Sequence, residues 1–370
     1  PDFTIFFFFL RPIGIIQFFA NLQIYTIIAR MERKICKKTV LILAIALAGI
    51  CTHTGLQAQS MWVKDYEVAR NMVWDAKLSH NIGFLCDSIC QGRATGTRGG
   101  VEASRWIMRQ FAKSRLLKFS DTYCKRFYAG KGLLGRNVIG MLPGSKKTEC
   151  DSYVIVGAHY DHLGTINGIT YPGADSNASG VVALTTLADM FSSMKIMGRS
   201  FHSNIIFVAF DGNGMNLSGS KALWKMIEDG ELVNPLTGRT ITPEKISLMV
   251  NIDQIGSSLS PLSSGREDYL IMLGTHSLPP SKRGLLDFCN RQFALDMDLD
   301  KTYYGSKNFT DIFYRLSDQR TFIENRIPSV LFTSGITMNT NKTRDTAASL
   351  NIPVLKKRIF LMFHWIEKML

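Results

Sequence analysis

Six continuous apolar runs, at residues 137–142, 153–157, 205–211, 246–252, 269–273 and 329–333, constrain this chain more than any other feature. They lack the polar alternation of a half-exposed strand, so each suits a strand covered on both faces. Between and around them lie helical patterns at residues 102–114, 180–194, 218–229, 281–293 and 353–370. Strands alternating with helices predict a three-layer α/β/α domain with a mostly parallel mixed central sheet. Residues 61–98 read as helices packed ahead of that sheet, and no repeat or linker divides residues 59–370. A length of 370 residues with 46% hydrophobic side chains supplies a large core. Seven cysteines are too few for a disulfide scaffold.

Residues 31–60 read MERKICKKTVLILAIALAGICTHTGLQAQS. A basic start, an apolar run over residues 40–50 and small residues up to Ala58 have the layout of a secretory signal peptide. The run is short for a bilayer span. Residues 31–58 are therefore read as a signal peptide, residues 1–30 as a mis-assigned upstream extension, and residues 59–370 as the mature domain. This predicts an exported protein, periplasmic or secreted, with no stable membrane insertion after cleavage. Cys86, Cys90, Cys124, Cys150 and Cys289 then remain, an odd number, so at least one is unpaired within the chain. Net charge is +13; residues 1–58 hold six basic and two acidic residues, which leaves +9 on the remainder. The basic residues read as scattered, and no nucleic-acid module accompanies them, so no nucleic-acid partner is expected.

Function in such sheets gathers in loops at the carboxyl ends of strands, and four polar clusters fall there. Residues 153–164 read YVIVGAHYDHLG, a strand running into His-Tyr-Asp-His. Residues 173–180 read GADSNASG and open a helix, with Ser179 or Asn177 as candidate cap. Residues 207–220 read FVAFDGNGMNLSGS, and residues 249–256 read MVNIDQIG. Together they resemble the zinc aminopeptidases of peptidase family M28, whose relatives include glutaminyl cyclases. The segments GRATGTRGGVEASRWI at 92–107, NVIGMLPG at 137–144 and the stretch 317–346 extend the resemblance.

The resemblance implies two neighbouring zinc ions, bridged by one Asp, with a Glu as general base. Imidazole and carboxylate suit zinc, and the metal makes hydroxide available near neutral pH. Carried over residue by residue, the first metal-ligand His falls on His159, with Asp161 placed to orient it, and a ligand Asp falls on Asp253. The other positions are substituted. The bridging Asp is Ser176, the general-base Glu is Asn213, the ligand Glu is Gly214 and the distal His is Asn341. A further His, expected after Asp318, is Gln319. Asp175 could supply a third ligand only if its loop shifted by one residue. A neutral hydroxyl is a poor replacement for a carboxylate on zinc, so zinc is expected to bind weakly or not at all. His162, His202 and His276 have no metal-ligand partners at readable spacing.

The favoured reading is a degenerate member that keeps the cleft as an exported binding protein, with a peptide or protein N-terminus as ligand. One alternative is an active metallo-aminopeptidase with an altered mononuclear site on His159, Asp253 and Asp175. Another is a structural partner of an active paralogue. Whether the chain is an enzyme stays open at this point.

Overall fold

Tyr153–His159 (β3) shows why the sheet forms where it does: all seven residues are buried. Tyr153 and Ile155 join a core with Ile206, Val208 and Trp224. The intervening Val154 and Val156 point to the opposite face and are equally buried. The computed structural model describes residues 66–145 and 151–370, of which Glu67–Leu370 form one compact unit. The extension at 1–30, the leader at 31–58, the predicted mature start and Cys150 lie outside the described residues.

In chain order the main elements are Asp75–Cys86 (α1), Arg98–Lys113 (α2), Cys124–Tyr128 (β1), Leu134–Leu142 (β2) and β3. The hairpin Gly164–Ile166 (β4) and Ile169–Tyr171 (β5) follows, then Gly180–Ile196 (α3), Asn204–Phe210 (β6) and Ser218–Glu228 (α4). Ile246–Ile252 (β7), Tyr269–Leu273 (β8), Leu285–Gln292 (α5), Asp298–Asp300 (β9) and Lys307–Phe313 (α6) come next. Gln319–Glu324 (α7), Ser329–Thr333 (β10) and Ile352–Met369 (α8) complete the set.

The eight-stranded sheet runs β1-β2-β6-β3-β7-β10-β8-β9. Its centre, β6-β3-β7-β10, is parallel, and β1, β2 and β8 pair antiparallel with their inner neighbours. Helices α2, α3 and α8 cover one face, while α4 and α7 cover the other. This is the predicted α/β/α layering with a mixed sheet. All six apolar runs are strands and all five helical patterns are helices, with bounds shifted by a few residues. Five features were not anticipated: edge strand β1, edge strand β9, the β4–β5 hairpin and the short helices α6 and α7. Among the described residues no helix is long and apolar enough to cross a membrane. Cys86, Cys90, Cys124 and Cys289 are all free thiols.

The α8 core carries a pH-dependent element. His364 is buried and stacks on Phe293 with centroids 3.4 Å apart and planes within 5°. Burial pushes its pKa down to about 3, whereas the unfolded ring titrates near 6.5. The depressed folded value means that the neutral ring's contribution is complete above about pH 6.5 and is lost as pH falls toward 3. At pH 5 this is a loss of about 2 kcal/mol relative to pH 7. Urea denaturation at both pH values should show that the His364→Leu variant loses less stability on acidification than the parent.

Candidate functional site

Because β3, β6, β7 and β10 run parallel, their carboxyl ends share one edge of the sheet, and the loops leaving them meet there. His159 is the last residue of β3, and Asp253 follows β7 directly. The His159 Nε2 lies 3.4 Å from Asp253 Oδ1, and both side chains are largely buried. Its Nδ1 sits 3.1 Å from the Asp161 backbone carbonyl and 3.7 Å from the Asp161 carboxylate. Burial works against a charged ring, but Asp253 and then Asp161 outweigh it, and the His159 pKa is raised well above its ordinary value. Burial alone would raise the Asp253 carboxyl, yet His159 reverses this and holds it below the usual range.

Asp161 has a task besides its place beside the His159 ring. Its two carboxylate oxygens accept from the backbone N–H groups of Asn213 (3.0 Å) and Gly214 (3.2 Å). It therefore fixes the loop after β6, while its own carbonyl is the nearer partner of the His159 ring. The Asn213 amide donates to Asp318 Oδ2 at 3.0 Å and to Ser317 Oγ at 3.3 Å. Asp318 is fully buried, and burial pushes its pKa up to about 6. Gln319 is buried too, accepting from Asn251 Nδ2 at 2.7 Å and donating to the Tyr314 carbonyl at 2.8 Å.

The turn before α3 is pinned by side chains from distant segments. Asn177, not Ser179, caps the helix: its Oδ1 accepts from Gly180 N at 3.1 Å and from Gln254 N at 3.0 Å. Its Nδ2 donates to the carbonyls of Ile252 (2.8 Å) and His159 (3.3 Å), tying the ends of β7 and β3 together. Asp345 accepts from Asp175 N at 2.8 Å and Ser176 N at 3.1 Å, and Ser176 is buried. The Asp175 side chain turns away, its Oδ1 accepting from Gly256 N at 2.7 Å and from Ser179 Oγ at 3.1 Å. Burial raises its pKa to about 6. Asn341 is exposed at a left-handed φ of 59°. Neighbouring Thr340 ties that turn to the site by donating to Gln254 Oε1 at 2.9 Å.

Two residues were missed as site-builders. Arg93 is fully buried and donates to four carbonyls, those of Leu85, Tyr160, Pro172 and Gly173, at 2.6–2.8 Å. It binds α1, the loop after β3 and the turn before α3 into one unit. The second is Asp211, whose carboxylate accepts from Thr95 Oγ1, Gly212 N, Arg136 N and the Tyr160 hydroxyl at 2.7–3.0 Å. The run GRATG holds Arg93 and Thr95 together, but nothing in it announces that both side chains turn inward. At Gly173 a positive φ of 59° and a His162 ring 2.5 Å from any added Cβ require glycine.

Zinc, implied by the family resemblance, does not fit the donor set. One imidazole and one carboxylate face each other; the remaining ligand positions hold a hydroxyl at Ser176, no side chain at Gly214 and an exposed amide at Asn341. A Cβ at Gly214 would meet only Asp161 Oδ2, at 3.8 Å, so the ligand is lost by substitution and not by obstruction. Among the described residues no group of three or more His, Cys, Asp or Glu is arranged to hold a metal ion.

Comparison with known proteins agrees with this fold. The profile of peptidase family M28 matches residues 137–366. A BOS complex subunit of Danio rerio is 32% identical over 120 residues, 32% of this chain and 20% of that protein. The BOS complex subunit NCLN of Homo sapiens is 31% identical over 125 residues, 34% of this chain and 21% of that protein. The matches thus span about a fifth of these relatives' length. The LapA aminopeptidase of Legionella pneumophila superimposes with a TM-score of 0.60 at 15% identity, covering 80% of this chain and 72% of that one. For the glutaminyl cyclase of Porphyromonas gingivalis the TM-score is 0.58 at 14% identity, with 80% and 99% covered. At such identities the structural likeness is one of fold. The family match, over more than half of the sequence, carries the assignment: this chain belongs to peptidase family M28.

Proposed function

We propose that this protein is an exported pseudoenzyme that holds the free N-terminus of a peptide or protein at the strand ends without cleaving it. One observation carries the reading. Asp318 Oδ1 is buried with no hydrogen-bond partner among the described residues, and Asp253 Oδ1 meets only the His159 ring, at 3.4 Å and without a hydrogen bond, in a site that has lost its general-base carboxylate. An α-ammonium brings three N–H donors and a positive charge to such oxygens. Export rests on the leader-like residues 31–58 and is part of the same proposal. A second reading, a subunit in a larger assembly, is supported by the matches to proteins named as complex subunits.

Calorimetry with matched short peptides tests the first reading. A free N-terminus should bind about tenfold or more tighter than its acetylated counterpart, because acetylation removes the charge and two donors. Asp253→Asn should erase that difference. Equal binding of the two peptides by the parent protein would overturn the reading.

A further inference from the structure

The excess charge of residues 59–370 is concentrated, which corrects the scattered distribution read from the sequence. Of +9, residues 98–136 carry +8, with ten Lys or Arg against Glu102 and Asp121. Arg98, Arg105, Arg109 and Lys113 are exposed on α2. Their spacing of seven, four and four residues sets them on one stripe, opposite the buried Ala103, Ile107 and Phe111. The stripe is about 22 Å long at the helical rise. Glu102 pairs with Arg105 at 2.7 Å; among the described residues no carboxylate bridges Arg98, Arg109 or Lys113. Arg105, Arg109 and Lys113 stand four apart, where like charges repel. Two exposed cations on α4 and α7 are instead matched by an acid four residues on, Lys225 with Asp229 and Arg320 with Glu324, although Lys221 of α4 is exposed without such a partner.

The patch continues onto the edge of the sheet. Arg115 and Lys118 are exposed where the chain leaves α2. Tyr123 packs edge-on against Phe111 of α2 at 6.1 Å, and Thr122 Oγ1 lies 3.7 Å from Met108 Sδ. Strand β1 then ends the sheet. The Tyr123 carbonyl accepts from Ile139 N at 2.8 Å, so Lys125 and Phe127 bond toward β2 and Arg126 and Tyr128 turn their backbone groups outward. Arg126 is exposed and the Tyr128 side chain is 83% exposed. Charges on a short edge strand blunt self-association, but that need does not reach a stripe on a helix packed over the sheet.

We propose that α2 and the outer edge of β1 dock an extended acidic segment of another protein. Its backbone continues the sheet at β1, and its carboxylates meet the basic patch. A polypeptide is favoured over other polyanions because only a polypeptide can pair with the outward N–H and C=O groups of Arg126 and Tyr128. The surface is separate from the His159 site and does not depend on what that site binds.

The test uses the purified protein and a labelled oligoglutamate peptide, read by fluorescence polarisation at low salt. The triple variant Arg105→Glu, Arg109→Glu, Lys113→Glu, with its folding checked by thermal melting, should bind about tenfold or more weakly, and added salt should weaken the parent. The same peptide carrying N-methyl groups at alternate residues should bind several-fold more weakly, a change that leaves the protein untouched. Three results would each overturn the proposal. They are oligoglutamate binding indifferent to the charge reversal, equal binding of the N-methylated peptide, and single-stranded DNA or phosphatidylglycerol vesicles bound as tightly as the peptide.

Discussion

Supplied with zinc, the purified protein is expected to hydrolyse aminoacyl arylamides and short peptides no faster than buffer. The reason lies in side-chain chemistry at one point of the site. The general-base position is Asn213, whose amide donates to Asp318 and Ser317 and cannot take a proton from water. Loss of a general base alone costs about 10²–10⁴ in rate. The metal positions add to this, since catalytic zinc normally takes three protein ligands and only His159 and Asp253 stand ready here. Neighbouring carboxylates do not step in: Asp161 holds the loop at Asn213 and Gly214, and Asp175 is bonded toward Gly256 and Ser179. The losses share one constellation, so their effects should not simply multiply. The assay covers a panel of substrates with and without a chelator. Chelator-sensitive turnover that disappears in both His159→Ala and Asp253→Ala would establish a rebuilt mononuclear site instead.

The largest effect on stability is expected from Arg93→Met. The guanidinium is fully buried and bonds four carbonyls at 2.6–2.8 Å. Truncation leaves those carbonyls buried without their donor, and each such loss costs about 1–3 kcal/mol. Some relaxation is inevitable, so a total of about 4 kcal/mol or more is the expectation. Arg93→Lys should recover only part of it, because an ammonium has three donors and lacks the planar fork that reaches four acceptors. Equilibrium denaturation of parent and variants measures both values. A loss below about 1 kcal/mol for Arg93→Met would show that the clamp is dispensable.

What was legible in the sequence is what local pattern dictates. Apolar runs such as residues 205–211 announce strands buried on both faces because they are short and rich in β-branched and aromatic residues, whereas the buried helix α3 needs a longer run. The order of strands and helices carries the layering, and the residue types at positions 159, 176, 213, 214 and 253 carry the change in chemistry. The edge strand β1 escaped notice because CKRFY is partly exposed and charged, so it lacks the signal of a covered strand. The three-residue β9 is too short to show a period.

The direction of each side chain was decided elsewhere. The Asp161 carboxylate lies 3.7 Å from the His159 ring and also accepts from two backbone N–H groups of the loop after β6, partners 52 and 53 residues away. Asn177 and Ser179 were equal candidates as the cap of α3, and Asn177 prevails because its amide also reaches the ends of β3 and β7. Arg93 carries no local mark of burial, yet four carbonyls from three segments enclose it. The clustering of basic residues on α2 and β1 likewise needed the fold to lay one beside the other. The amino-acid order alone determined the layers, the family and the loss of donors. The tertiary structure decided which remaining polar groups satisfy one another, because a buried polar atom takes its partner from whatever segment the packed sheet brings within hydrogen-bond reach.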